Sequence, residues 1–139
     1  MSKRTKIKHR AYRQLKNEGI QVTKTNQVRP NAGSETYAHF RAKACVAFLG
    51  QINGYWVSSE VDFPNGKEAD ILLWGHEDRN TLVVECETSI DDIVKQEKLN
   101  NYVKGFESID DMLMIEVLDL PENAHQTLGF VSEQLGLYP

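Results

Sequence analysis

Along this chain the apolar positions switch repeatedly between a helical and an extended rhythm, and the switches mark the elements. Over residues 3–18, Ile7, Ala11, Tyr12 and Leu15 recur at helical spacing with Lys and Arg on the remaining faces, and Gly19 supplies a stop. Residues 20–33 are polar, contain Pro30, Asn31 and Gly33, and read as a linker, so the main domain starts near Ser34. Ser34 is placed to cap a helix running to about residue 51, whose apolar stripe is Tyr37, Phe40, Ala44 and Phe48. Glu35, His39 and Lys43 follow one another at four-residue steps and give that helix a polar edge. Residues 55–63 alternate, with Tyr55, Val57, Val61 and Phe63 on one face and Trp56, Ser58, Glu60 and Asp62 on the other. Pro64-Asn65-Gly66 turns this strand as a hairpin into 68–74, and a third strand covers 81–87. Residues 89–92 form a capping-box variant that opens a helix to about residue 104, with Asp91 and Asp92 as first-turn acids. A fourth strand over 111–118 looks buried on both faces, and Asn123 caps a last helix to about residue 135. The order predicts an α/β fold: a basic N-terminal helical arm, then helix, three strands, helix, strand and helix.

Composition adds bounds. At 139 residues, 40% apolar and 26% charged, the chain makes one domain with a core of ordinary size. No apolar run reaches the length of a membrane span and no signal peptide pattern opens the sequence, so a cytoplasmic protein is expected. Cys45 and Cys86 sit in apolar contexts and suit reduced core positions, too few for an Fe–S cluster. Charge is distributed unevenly. Residues 1–30 carry nine Lys/Arg against Glu18, a balance of +8, whereas residues 31–139 carry seven against nineteen acids, a balance of −12. A basic arm (1–33 with its linker) on an acidic body (34–139) suits phosphate binding by the arm, through Lys3, Arg4, Lys6, Lys8, Arg10, Arg13 and Lys16. The plainer alternative is a solvated tail.

The acids of the second and third strands carry the chemistry. Period two puts Asp70 on one face with Leu72 and Trp74, and puts Glu85 and Glu87 together with Val83, opposite Leu82, Val84 and Cys86. Three carboxylates ending adjacent strands repel unless a cation lies among them, which points to a divalent metal held by oxygen ligands. Exposed strand-end acids are the alternative reading. Glu35 is either a further ligand or a first-turn acid answering its helix dipole. His39 is a helix histidine and Glu60 a more distant acid.

The pattern Asp70, spacer, Glu85-Cys86-Glu87 resembles the PD-(D/E)XK nuclease superfamily of restriction enzymes, Holliday junction resolvases and RecB-type nucleases, over roughly residues 34–118. Glu87 stands where that family has its lysine. Some branches carry the lysine on the following helix, where this chain has Lys95 and Lys98, and Lys98-Leu-Asn-Asn-Tyr102 is similar to a polar–X3–Tyr feature of RecB-type nucleases. The resemblance implies a restriction-endonuclease-like αβββαβ core around a mixed four-stranded sheet. It implies catalytic Asp70, Glu85, Glu87 and Lys98, and Mg²⁺ (or Mn²⁺) on Asp70, Glu85, Glu87 and Glu35. It also implies a homodimer that hydrolyses phosphodiester bonds, most readily in DNA. The rival expectation is a protein that keeps the fold and binds nucleic acid, or serves assembly, without cutting.

Overall fold

The computed structural model describes residues 1–31 and 35–139. Helices α1 (Lys3–Asn17) and α2 (Tyr37–Ile52) precede strands β1 (Trp56–Asp62), β2 (Glu68–Trp74) and β3 (Leu82–Glu87). Helix α3 (Asp92–Tyr102), strand β4 (Asp111–Glu116) and helix α4 (Ala124–Leu135) follow. The strands form one mixed sheet in the order β1-β2-β3-β4. Short loops (63–67 and 75–81) make β1–β2 and β2–β3 antiparallel, while the α3 crossover makes β3–β4 parallel. The fold is therefore α/β, a four-stranded mixed sheet flanked by helices.

The caps differ in detail from expectation. Ser34 lies outside the described residues, and Thr36 caps α2 by accepting from His39 N at 3.1 Å. Asp91, not Ser89, caps α3, accepting from Val94 N at 2.8 Å. Asn123 caps α4 as its sequence position predicts.

Each face of the sheet carries a core. On one, Ala42, Val46 and Leu49 of α2 and Val131 and Leu135 of α4 pack on Val57, Ile71, Leu73, Val84 and Ile115. On the other, Leu15 of α1, Ile20, Val22 and Tyr102 of α3 pack on Phe63, Leu72, Trp74, Val83 and Met112. The α2 stripe is a correction: Tyr37 and Phe48 are exposed, and the buried face is the smaller-residue side. Close approach decides this, since a Cβ on Gly50 would lie 2.5 Å from Leu73 Cδ2, so the helix packs where it is thinnest. The linker reading of 20–33 also gives way where the structure describes it. Gln27 N donates to Val57 O and Gln21 N to Asp62 O, so this segment covers the free edge of β1. The basic helix is thus docked on the sheet through Ala11, Tyr12 and Leu15.

The strand alternation breaks at one place. Glu60 has φ of 49°, the left-handed region that side chains other than glycine seldom occupy. Val57 before it faces the α2 layer, while Val61 and Phe63 after it face the α1/α3 layer, so the expected common face of these residues splits. Pairing steps from Ser59↔Ile71 to Val61↔Ala69 across the Glu60 and Asp70 positions. As a result Asp70, expected on the face of Leu72 and Trp74, meets a residue of α2, and so does Glu60.

Candidate active site

The β2–β3 ladder runs from Leu73↔Leu82 to Ile71↔Val84, and there the strands part. Carboxylates take over the next positions. Asp70 N donates to Glu85 Oε2 at 2.8 Å, and Cys86 N donates to Asp70 Oδ2 at 2.8 Å. Two acids thus sit at a splayed strand end, held by backbone amides and by each other's strand.

Two helices close on this point from opposite layers. From α3, Lys98 Nζ lies 3.2 Å from Glu85 Oε1 and 3.0 Å from Glu87 Oε1. Lys95, three residues earlier, is exposed. From α2, His39 Nε2 lies 2.9 Å from Cys86 O and 3.4 Å from Asp70 Oδ2, and its Nδ1 lies 3.0 Å from Glu35 Oε2. Glu35 in turn accepts from Lys43 Nζ at 2.8 Å. Lys43 is completely buried, and its other partners are Arg29 O at 2.7 Å and Glu60 Oε1. A cleft of about 200 Å³ opens beside these groups, lined in part by Glu35, His39, Cys86 and Glu87.

Burial and charge set the protonation states. Burial, and then the neighbouring Asp70 charge, push Glu85 up to about 8 against the opposing pull of Lys98. Burial would also raise Asp70, but the hydrogen bonds from His39 and the Cys86 amide overcome it and leave its carboxyl below the ordinary value. The same hydrogen bond to Asp70 lifts His39 to about 9 in spite of its own burial, so the imidazole is a cation near neutrality. Burial pushes the Cys86 thiol and the Tyr102 phenol upward. The Tyr102 hydroxyl donates to Glu68 O at 2.7 Å and so ties α3 to the base of β2.

The donor set suits a hard divalent cation. Asp70 and Glu85 offer carboxylate oxygens at one point, and Glu87 lies one side chain away across Lys98. Among the described residues, the buried Glu35 Oε1 has no hydrogen-bond partner, an acceptor with a free lone pair. His39 Nε2 or Nδ1, an Asp70 oxygen and Cys86 Sγ also lie within 4.8 Å of one another, a softer set beside the first.

Of the residues read from the sequence, Asp70 meets Glu85 and Lys98 bridges Glu85 to Glu87, whereas Glu35 reaches Asp70 only through His39. The central placing of His39 and the burial of Lys43 went beyond expectation. The four-residue steps from Glu35 to His39 to Lys43 were the available signal. No family model, curated protein or solved structure matches the chain.

Proposed function

We propose that this chain is a metal-dependent nuclease of the PD-(D/E)XK type, hydrolysing phosphodiester bonds, most readily in DNA. One observation carries the reading: Asp70 and Glu85 converge where β2 and β3 part, with Lys98 reaching in from α3. Mg²⁺ would be held by Asp70 and Glu85, with Glu87 and Glu35 next to them, and when bound would polarise a phosphoryl oxygen and lower the pKa of a water.

The chain's own groups do the rest. Hydrogen bonds from the Cys86 amide and His39 fix the Asp70 carboxylate in orientation and keep it ionised. Lys98, suspended between Glu85 and Glu87, presents N–H donors where charge develops on the non-bridging phosphate oxygens. It would supply the positive charge that Glu87 cannot. The basic face of α1 would bind backbone phosphates without reading sequence. A site of this size cuts both strands as a homodimer, and two free cysteines suit a reducing, cytoplasmic setting. Among the described residues, no helix is long and apolar enough to cross a membrane.

Asp70→Asn keeps the shape of the side chain and removes a ligand charge, so Mg²⁺-dependent cleavage of plasmid DNA should vanish while the circular dichroism spectrum is retained. A variant that cuts as fast as the parent would place the chemistry elsewhere. A specific observation favours the rival reading of a binding module without catalysis: His39, Lys98 and Lys43 already compensate these carboxylates from within. Salt-sensitive DNA binding by the parent, with no cleavage in Mg²⁺ or Mn²⁺ on duplex, branched or single-stranded substrates, would establish that reading.

A further inference from the structure

The docking of α1 builds a second charged feature, distinct from the carboxylates. A pocket of about 230 Å³ lies between α1 and the following segment, lined by Lys8, His9, Tyr12, Arg13 and Lys24. Tyr12 forms part of its wall, and two of its lysines lie against aromatic rings. Tyr12 sits 6.2 Å from the Trp74 ring, and Trp74 is 6.5 Å from Trp56. Lys8 Nζ lies 3.5 Å over Trp56 and donates to Lys24 O at 2.6 Å, while Lys24 Nζ lies 5.1 Å from the Tyr12 ring. Among the described residues no carboxylate forms an ion pair with Lys8, Arg13 or Lys24, in contrast to Lys43 and Lys98. Burial, and then the charge of Lys24, hold Lys8 below its ordinary value, as expected for a positive pocket that lacks its counter-charge.

We infer that this pocket seats a backbone phosphate of a nucleic-acid strand, held by Lys8, Arg13 and Lys24 against the Tyr12 ring. The shared chemistry is a phosphate group, and the surroundings select a strand over a lone anion. Arg4 lies 5.6 Å over Trp56 and Lys16 lies 6.0 Å from Tyr12, so cations continue on both sides of the pocket along α1. From Arg4 to Lys16 the helix advances roughly 18 Å at 1.5 Å per residue, about five nucleotide steps at 3.4 Å each. A row of that length matches a polyanion. The inference rests on the nuclease reading only for the identity of the strand, and it narrows the seven basic positions of α1 to one anchoring point that includes Lys24.

The test uses the full chain in EDTA, so that binding is read without cleavage. Anisotropy of a labelled DNA duplex is measured across a range of salt for the parent and two double variants. Arg13→Ala with Lys24→Ala removes two exposed pocket cations; Lys3→Ala with Arg10→Ala removes two exposed cations of α1 that do not line the pocket. The pocket pair should lose at least tenfold in affinity and flatten the slope of log affinity against log salt by about 0.9, the value for one lost phosphate contact. The pair outside the pocket should lose less than half as much. Equal losses in the two variants, or none in the pocket pair, would overturn the inference. Tryptophan emission separates the phosphate sources, because Lys8 rests on Trp56. A change with duplex but not with millimolar inorganic phosphate supports a strand, and the reverse overturns it. A chain that binds as expected but never cleaves with Mg²⁺ removes the nuclease reading and leaves the pocket standing.

Discussion

At the scale of single residues, two lysines hold the site in opposite ways. Lys98 is partly open to solvent and bridges two acids that would otherwise repel each other. Lys98→Ala should lower the cleavage rate on the order of 10²-fold or more, the usual loss for a preorganised electrostatic group. Lys95→Ala should be nearly silent, because that side chain is exposed on α3. Single-turnover rates at saturating Mg²⁺ check the ranking, and the reverse order would move the role to Lys95. Lys43 is the inward counterpart, fully buried against Glu35 and Glu60. Lys43→Met strands two buried carboxylates, so about 3–5 kcal/mol of stability should be lost. A urea midpoint within error of the parent would mean that Glu35 and Glu60 find partners elsewhere.

At the scale of elements, a helix is placed by its small residues and a strand is redirected by one backbone angle. Ala42, Ala47 and Gly50 let α2 lie close on Leu73, which leaves the bulkier Phe48 and Tyr37 outside. Gly50→Val drives a branched side chain into Leu73 and should cost about 1–3 kcal/mol through overpacking. Thermal unfolding checks this, and an unshifted midpoint would mean that the helix can retreat from the sheet freely. Glu60, at φ of 49°, turns itself and its neighbour Asp70 toward α2. That turn lets a histidine and a lysine of α2 serve the acids of two strands.

At the scale of the whole molecule, the site is a pool of coupled protons whose pH response has a definite sign. Glu85 titrates near 8 in the fold against an ordinary 4.5, and His39 near 9 against 6.5. In both, the folded state binds its proton more tightly than the unfolded chain does, so both contributions fall as pH rises. Glu85 loses its share from about pH 4.5 to 8 and His39 from 6.5 to 9. Asp70, with a lowered pKa, stabilises above its ordinary 3.8 and loses that effect on acidification. The chain in EDTA should therefore be most stable in mildly acid solution and weaken toward pH 9 by a few kcal/mol, since each tenfold difference in proton affinity between folded and unfolded chain is worth about 1.4 kcal/mol. Urea midpoints from pH 5 to 9 test this. Glu85→Gln should flatten the lower part of the slope, and a level profile in the parent would mean that these acids are solvated.

Local patterns determined much of this protein. Element order, the β1–β2 hairpin and the Asn123 cap follow from local pattern along the chain, because a strand repeats every two residues and turn and cap residues mark where elements end, whereas Lys98 was singled out only by the resemblance. The meeting of Asp70 and Glu85 was legible too, as their strands are adjacent in sequence. What depended on contacts between distant segments was not. The docking of α1 and of residues 20–31, the buried face of α2 and the burial of Lys43 were each decided by what another part of the chain presented. The change of face at Glu60 shows the reason most directly. Periodicity assumes an unbroken backbone rhythm, and one left-handed residue, whose side chain meets a lysine seventeen positions earlier, breaks it within β1 and at Asp70 on the paired strand.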